Sequence, residues 1–350
     1  MRNKASVENV KAKPWKGKAM PKRILVIRLQ AMGDMVITLP YIQYLKRNLP
    51  EDVVLDFLTR EEVDAIPRNI HLFNNVFSIK GKRSFKKQFL YTLALLPKLL
   101  LRRYQVVIDL QNNPLSRLVV KTTNPKAWSM FDRFSPIPAG ERTRLTIEAV
   151  GLGVNMPDHN FTLKTTSDID DILTENGWDG ESMLVILNPA GVFATRNWPL
   201  DSYVSFARLW LETHPDTQFI ILGINTFAEK AVYLKHLLGN GLINLVGKTN
   251  PAQAFTIVQK ATFVLSEDSG LMHMAWVSGI PTLAIFGGTR SDWTRPLGKH
   301  TAFVDSSDLP CGNCMLEVCK FGNTHCLTRY TPEIIFNKTL ELLKSMVDAE

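Results

Sequence analysis

The sequence predicts an α/β protein of two domains, each built on a parallel β-sheet. Its 350 residues are long for one core and suit two domains of ordinary size. Hydrophobic residues make up 45% and charged residues 21%, which is typical of a soluble globular protein. Short, nearly continuous apolar runs alternate with longer helical segments, as expected of parallel strands covered on both faces.

Seven apolar runs are predicted to be strands, and they fall into two series. The runs are 23–29, 53–58, 105–110, 183–188, 218–223, 262–266 and 282–286. A polar stretch over 164–182 separates the two series and has the composition of a linker. We therefore expect domains over 23–170 and 171–330.

The first 23 residues are strongly basic. They hold eight Lys and Arg residues against one acid, Glu8, so this segment carries +7 of the formal net charge of +8. Residues 1–22 are predicted to form a disordered basic tail. Two roles stay open for it: a solvated arm, or weak attraction to an anionic membrane surface.

The run "FLYTLALLPKLLL" over 89–101 is the most apolar segment, but Pro97, Lys98 and its length argue against a membrane-spanning helix. Basic residues flank it on both sides: Lys80, Lys82, Arg83, Lys86, Lys87, Arg102 and Arg103. We favour a buried helix with solvated ends. A helix that lies in a membrane interface or faces a phosphorylated lipid is the alternative.

Ligands of open α/β sheets bind beyond the carboxyl ends of the strands, so the loops after strands are the candidate sites. After the first strand, Gly33 permits a tight turn and Asp34 lies at its tip before a helix. The pattern alone favours Asp34 as a helix cap over Asp34 as a catalytic base. Pro40 leaves the helix start open, since Thr38 could be the cap instead.

A second candidate loop follows the strand over 183–188. It contains Asn188 and Gly191, then Arg196, before Trp198 and Pro199 open a helix. A glycine turn near a lone cation is a plausible phosphate cradle. An ordinary strand–loop–helix connection with an exposed arginine explains the same pattern.

The third loop, "SEDSG" over 266–270, joins the strand over 262–266 to a helix. Ser269 and Gly270 leave backbone N–H groups free at the helix start, which favours an anionic ligand. Glu267 and Asp268 would repel a phosphate, so we expect them to cap the helix or bind sugar hydroxyls. His273 is either packed in the core or placed on the same helical face as Gly270.

Other familiar signatures fail. The segment 241–249 resembles a P-loop but has one residue too many between its glycines, and the dinucleotide, metalloprotease and serine-hydrolase motifs do not occur. The near-neutral charge after residue 23 argues against a nucleic-acid partner.

All four cysteines lie in one short segment, spaced C-x2-C-x4-C-x6-C: Cys311, Cys314, Cys319 and Cys326. Four soft ligands suit a structural zinc or iron ion. In a reducing compartment free thiols are the alternative, and the spacing is tighter than in common zinc knuckles.

Several blocks, in order, resemble the lipopolysaccharide heptosyltransferases of glycosyltransferase family 9. These are "ILVIRLQAMGDMVITLP", "YQVVIDLQ", "NPAGVFATRNWP", "LVGKTNPAQ" and "SEDSGLMHMAWVSGIPTLAIFGGT". The resemblance implies a GT-B fold, in which two Rossmann-like parallel-sheet domains face a cleft. It also implies that a C-terminal helix, here within 331–350, returns to the first domain. The first domain would bind acceptor and the second the nucleotide-sugar donor.

This resemblance also implies an activity: transfer of heptose from ADP-heptose to a lipopolysaccharide core acceptor, with inversion and no catalytic metal. Asp34 matches the family's general base, and Arg196 stands where the family commonly has a lysine. The implied donor-binding residues are Asn188, Gly191, Arg196, Asp268, Ser269, Gly270 and His273. Acceptor contacts are expected at Gly33, Lys82, Arg83 and Lys86.

The family works at the cytoplasmic face of the bacterial inner membrane, so peripheral contact with that anionic surface is expected. Two alternatives stay open: a family transferase that uses another nucleotide sugar, and a non-catalytic nucleotide-sugar-binding protein of the same fold.

Overall fold

The structure, a computed structural model, describes residues 10–160, 163–164 and 169–348. The chain divides into two compact units, Met1–Lys164 and Thr165–Glu350. Each unit contains a six-stranded sheet. The predicted α/β class with two parallel-sheet domains is confirmed.

Among its described residues, the first unit has six strands and five helices. The strands are β1 (Ala12–Lys13), β2 (Arg23–Ile27), β3 (Val54–Arg60), β4 (Asn75–Ile79), β5 (Val106–Asp109) and β6 (Ala127–Met130). The helices are α1 (Met32–Arg47), α2 (Ala65–Arg68), α3 (Phe85–Leu101), α4 (Pro114–Thr123) and α5 (Ala139–Glu148). The strand order is β1-β6-β5-β2-β3-β4, and only β1 is antiparallel to its neighbour.

In the second unit a parallel sheet has the order β12-β11-β10-β7-β8-β9. Its strands are β7 (Met183–Asn188), β8 (Thr217–Ile221), β9 (Leu242–Asn244), β10 (Phe263–Glu267), β11 (Thr282–Ile285) and β12 (Thr301–Val304). Its helices are α6 (Ile169–Glu175), α7 (Leu200–Thr213), α8 (Ala228–Leu238), α9 (Pro251–Lys260), α10 (Gly270–Val277), α11 (Ser291–Thr294), α12 (His325–Thr328) and α13 (Pro332–Val347).

The division between the units lies earlier than predicted, because α6 belongs to the second unit. This helix packs on α9, and Asp170 forms an ion pair with Lys260 at 2.7 Å. The polar stretch interpreted as a linker therefore contributes a helix to the second unit. Residues 165–168 of that stretch lie outside the described residues.

The predicted basic tail is ordered from residue 10 onward, which corrects the prediction of disorder for the part of residues 1–22 that the structure describes. β1 extends the sheet at the edge of β6, with Ala12 opposite Ser129. The N–H of Met130 donates to the carbonyl of Lys11 at 2.9 Å, and that of Trp15 donates to the carbonyl of Val150 at 2.7 Å. Residues 1–9 lie outside the described part of the chain.

The apolar run over 89–101 forms most of α3, but the interpretation as a buried helix is wrong for its outer face. Only four side chains of α3 are buried: Gln88, Thr92, Leu96 and Leu99. They pack on β4 and α4. Leu90 is 63% exposed and Leu101 is 83% exposed. None of the described helices is long and apolar enough to cross a membrane.

The predicted C-terminal helix is observed as α13, but its buried face lies in the core of the second unit. Ile335, Phe336 and Leu342 are buried, and the helix contacts α7 and β12. The ring of Phe336 meets that of Phe206 edge-on, with 6.1 Å between centroids. The return of this helix to the first domain stays a prediction.

Truncation of Ile335 tests this assignment. We expect Ile335→Ala to lower the free energy of unfolding of the second unit by about 2–5 kcal/mol, because a fully buried side chain leaves a cavity. Val347→Ala is the matched control on the same helix, since Val347 is 74% exposed. Hydrogen exchange read separately for the two units measures the effect, and a loss confined to the first unit would contradict the assignment.

Candidate functional site

Asp34 lies in the first turn of α1, beyond the end of β2. Its Oδ1 is 2.9 Å from the guanidinium of Arg28, and its Oδ2 accepts the N–H of Ala31 at 3.0 Å. The side chain is 36% exposed. The capping and catalytic interpretations are therefore compatible, because the carboxylate caps the helix start and still faces solvent. Thr38 is not the cap: its buried hydroxyl donates to the carbonyl of Met35.

Arg28 holds the carboxylate of Asp34 in place. Its side chain is buried, donates to the carbonyl of Leu110, and stacks 4.8 Å above the ring of Phe131. Burial lowers the pKa of Arg28, and the neighbouring carboxylate of Asp34 opposes that shift. A buried guanidinium without its carboxylate would be strongly destabilising, so Asp34 has a fixed orientation.

The loop between β2 and α1 is held by a side chain that follows the neighbouring strand. The side-chain oxygen of Gln111 accepts the N–H groups of Leu29 and Gln30 at 2.9 and 3.0 Å. Asp109, whose pKa is raised by burial, in turn accepts the N–H of Gln111 at 3.0 Å. The "YQVVIDLQ" block therefore supports the loop that carries Asp34.

A small, strongly cationic cavity of about 190 Å³ opens beside Asp34. Its lining is Arg28, Gln30, Asp34, Gln111, Phe131, Arg133 and Arg142. Arg142 donates to the carbonyl of Arg133 at 3.1 Å and stacks over Phe131. Three guanidinium groups around one carboxylate suit a ligand that carries negative charge.

A larger cavity of about 650 Å³ adjoins the same loop. It is lined by Leu29, Gln30, Ala31, Met32, Arg60, Glu62, Val63, Arg83, Phe85 and Gln88. Of the predicted acceptor residues, Arg83 lines this cavity. Lys82 and Lys86 are exposed beside it, and the carbonyl of Lys82 accepts from Arg60. Gly33 lies in the first turn of α1 rather than in a tight turn, which corrects the expected role of this glycine.

In the second unit, the ends of β7 and β10 are hydrogen-bonded through side chains. Asn188 is buried, and its Nδ2 donates to the hydroxyl oxygens of Ser266 and Ser269, both at 2.7 Å. Ser269 also accepts the N–H of Met272 at 3.2 Å as the N-cap of α10. Asn188 and Ser269 are therefore in direct contact, and Gly270 follows Ser269 as the first residue of α10.

Glu267 is fully buried, which corrects the expectation that it caps a helix or binds a sugar. Its carboxylate accepts the N–H groups of Gly191 and Trp198 and so holds the loop after β7 from inside. From the other side Lys230 donates to the carbonyls of Pro189 and Gly191, both at 2.8 Å. A Cβ at Gly191 would lie 2.5 Å from the carbonyl oxygen of Arg196, so only glycine fits there.

The surroundings of Glu267 shift its protonation. Burial raises the pKa of Glu267 to about 7, against the opposing effects of Lys230 and of the two backbone N–H donors. Burial also lowers the pKa of Lys230. The loop is thus held by one fully buried and one half-buried ionisable group.

Arg196 and Asp268 are two charged residues of these loops that are not fully buried. Arg196 ends a short 3₁₀ turn over Ala194–Arg196 and is half-buried. Among the described residues, its guanidinium contacts the ring of Phe193 at 5.7 Å and has no side-chain hydrogen bond. Asp268 is half-buried and accepts a long hydrogen bond of 3.4 Å from Thr294.

His273 is packed in the core, as one of the two interpretations of its position predicts. It is buried, and its Nδ1 accepts the indole N–H of Trp276 at 2.9 Å. This bond assigns the ring proton of the neutral imidazole to Nε2.

The four cysteines are half-buried free thiols. Cys311, Cys319 and Cys326 line one cavity of about 330 Å³. Burial, followed by the other three thiols, raises the pKa of Cys326. Within residues 10–160, 163–164 and 169–348, no group of three or more His, Cys, Asp or Glu side chains is arranged to hold a metal ion.

Sequence reasoning missed five polar residues of these sites: Arg28, Gln111, Arg133, Arg142 and Lys230. Arg28 and Gln111 follow central strands directly, which is the same signal that identified Asp34. The other three come from segments distant in sequence, and their local patterns carry no signal.

Comparisons with known proteins agree with the geometry. Residues 92–325 match the profile of glycosyltransferase family 9 (heptosyltransferase). Lipopolysaccharide heptosyltransferase 1 of Pseudomonas aeruginosa is 24% identical over 353 aligned positions, which cover 89% of this chain and 95% of that protein.

Solved structures share the fold. The glycosyltransferase of family 9 from Veillonella parvula superposes with a TM-score of 0.74 at 16% identity, over 92% of this chain and 97% of that one. The ADP-heptose lipopolysaccharide heptosyltransferase II of E. coli gives a TM-score of 0.70 at 17% identity, over 93% and 99% of the two chains. Because the family profile covers more than half of its residues, the chain belongs to glycosyltransferase family 9, the heptosyltransferases of GT-B fold.

Proposed function

We propose that this protein transfers a heptose from ADP-heptose to a lipopolysaccharide core acceptor and inverts the anomeric carbon. One observation carries the proposal: the carboxylate of Asp34 is fixed by Arg28 and Ala31, yet it reaches solvent in a cationic cavity. The names of the relatives supply the sugar, the donor and the acceptor class.

Asp34 acts as the general base in this proposal. Each carboxylate oxygen has one partner on the protein, so each keeps a lone pair that can accept the proton of the attacking hydroxyl. Attack on the face opposite the departing diphosphate inverts the sugar carbon, as in other displacements at an anomeric centre. The rigid Arg28–Asp34 pair keeps the base in one orientation during the step.

The second unit stabilises the leaving diphosphate. Positive charge on Arg196 and the free backbone N–H groups at the start of α10 can neutralise it without a catalytic metal. In this proposal Asp268 accepts hydrogen bonds from sugar hydroxyls. Glu267 and Lys230 contribute indirectly, because they fix the loop from which Arg196 projects.

The acceptor side suits a substrate with several negative charges. Arg133 and Arg142 line the cavity at Asp34, and Arg60 and Arg83 line the larger cavity across the loop. Phosphates or acidic sugars of a lipopolysaccharide core would pair with these groups. Such an acceptor is anchored in lipid, so we place the enzyme at the cytoplasmic face of the inner membrane, in peripheral contact with its anionic surface.

We also propose that the four-cysteine segment holds a structural zinc or iron ion. Backbone N–H groups, that of Phe321 first, lower the pKa of Cys319, which favours the thiolate form that binds metals. Three of the four thiols already share one cavity. Coordination would require the loop over 311–326 to draw its sulfur atoms together, because they are not arranged around one point in the structure.

Asp34→Asn tests the catalytic proposal. We expect the variant to lower kcat by about 10²–10⁴-fold, because the amide cannot accept the proton, while affinity for ADP-heptose stays within about twofold. Asp52→Asn, an exposed carboxylate paired with Lys22, is the control. Calorimetry with ADP-, UDP- and GDP-sugars measures donor affinity and also tests whether the donor is another nucleotide sugar. An unchanged kcat would overturn the role of Asp34.

Glu267→Gln tests the buried carboxylate. Its pKa of about 7 exceeds the ordinary value of 4.5, so the folded state binds more protons than the unfolded chain between these pH values. Glu267 therefore stabilises the second unit most below pH 4.5, and that contribution, of order 3 kcal/mol, is lost as pH rises to about 7.

The glutamine variant should lack this pH dependence and should bind donor more weakly, because its amide NH₂ cannot accept a backbone N–H. Unfolding measured from pH 4.5 to 8 provides the readout, and exposed Glu212→Gln serves as the control. An identical slope in wild type and variant would contradict the assignment.

Elemental analysis of the purified full chain tests the metal proposal. We expect close to one zinc or iron ion per chain, and less than a tenth of that in a Cys311→Ser, Cys326→Ser double variant. A folded, active, metal-free preparation would show instead that the cysteines are free thiols.

A further inference from the structure

The outer face of α3 is apolar and faces away from the protein. We define this face as Leu90, Leu93, Ala94, Pro97 and Leu101, all of them exposed. At 100° per residue these five side chains share one side of the helix, opposite the buried Gln88, Thr92, Leu96 and Leu99. Exposed apolar patches of this kind mark interaction surfaces.

The chain segment that contains this face carries charge of one sign. Residues 65–108 contain nine Lys and Arg residues and no Asp or Glu. They are Arg68, Lys80, Lys82, Arg83, Lys86, Lys87, Lys98, Arg102 and Arg103. Several of them directly precede or follow α3, so the apolar face has a cationic border at both ends. Its partner must therefore combine an apolar interior with a negatively charged surface.

The N-terminal turn of α3 is also a wall of the larger cavity. Phe85 and Gln88 of this helix and the preceding Arg83 line that cavity together with Gln30, Ala31 and Met32, the loop that precedes Asp34. The apolar face and the cavity thus adjoin at one end of a single helix.

We propose that the outer face of α3 inserts into the boundary between headgroups and acyl chains of an anionic bilayer. Its basic flanks then contact the lipid phosphates, and the larger cavity opens toward acceptors anchored in the same leaflet. Interfacial helices bind in this way, through buried apolar area plus attraction to anionic lipid. The membrane contact of α3 does not depend on the proposed function, but the acceptor assigned to the larger cavity does.

The charge distribution selects a bilayer over a second copy of the chain. Two copies that met through α3 would bring two acid-free segments of charge +9 together, which is strongly repulsive. A bilayer with anionic lipids meets the apolar face and the basic border at once, without a complementary protein surface.

Vesicle binding by the full chain tests the proposal. The probe is large unilamellar vesicles of phosphatidylcholine that contain either no phosphatidylglycerol or about 30% of this anionic lipid. Binding is measured by co-sedimentation. We expect binding only to the anionic vesicles, with weakening as salt rises. A Leu90→Gln, Leu93→Gln, Leu101→Gln variant should lose about tenfold or more in affinity. A Lys80→Gln, Lys87→Gln, Arg103→Gln variant should lose roughly fivefold for each charge removed.

Matched controls separate the face from general surface effects. Val154→Gln, Val232→Gln, Val347→Gln changes three exposed apolar residues elsewhere, and Lys121→Gln, Arg208→Gln, Lys344→Gln removes three exposed charges elsewhere. Both controls should bind vesicles like wild type. Equal binding by the leucine variant and by wild type would overturn the proposal, as would a wild-type dimer that the leucine changes dissociate.

Activity on a water-soluble, delipidated acceptor separates this inference from the proposed function. The leucine variant should transfer sugar to that acceptor at the wild-type rate, because its changed side chains face away from the cavity. If wild type fails to transfer but binds vesicles, the proposed function fails and the membrane surface stands. If wild type transfers sugar but does not bind vesicles, the membrane surface is wrong and the proposed function stands.

Discussion

The site in each unit depends on a buried side-chain acceptor that holds the loop of a neighbouring strand. Gln111, beyond β5, accepts two N–H groups of the loop after β2, and Glu267, at the end of β10, accepts two N–H groups of the loop after β7. Loop amides removed from water need such partners. Because both acceptors are buried and hydrogen-bonded to the loops, the loops present Asp34 and Arg196 in defined positions.

The two units use this arrangement for opposite charges. In the first, a buried cation, Arg28, lies behind an accessible carboxylate. In the second, a buried carboxylate, Glu267, lies behind a loop that presents an accessible cation, Arg196. Arg28 thus holds the carboxylate of Asp34, and Glu267 holds the backbone of the loop that carries Arg196. Substitution of Arg28 or Glu267 should therefore change the position of Asp34 or Arg196, although neither buried residue needs to contact substrate.

The sequence was sufficient for the central strands and for the residues at their ends. All seven predicted strands form. The strands that the sequence analysis missed lie at or next to sheet edges: β1, β4, β6, β9 and β12. Strands there are short and mix buried with partly exposed residues, so their apolar pattern is weak. Asp34 was identifiable because it follows a central strand. The inward direction of the Glu267 side chain was not identifiable from the sequence. Side chains alternate between the two faces of a strand, so an error of one residue in the strand reverses the predicted direction. The exposed face of α3 was not identifiable either, because leucines occupy both sides of that helix.

The short strand β1 has a consequence for the behaviour of the protein in solution. An open sheet edge can recruit strands from other molecules and so start aggregation. Two paired residues cover the margin of β6 but are too few to template another chain, and Lys11, Lys13, Lys16 and Lys18 surround them with charge. The basic amino-terminal segment thereby protects the sheet against edge-to-edge polymerisation, whatever else its positive charge attracts.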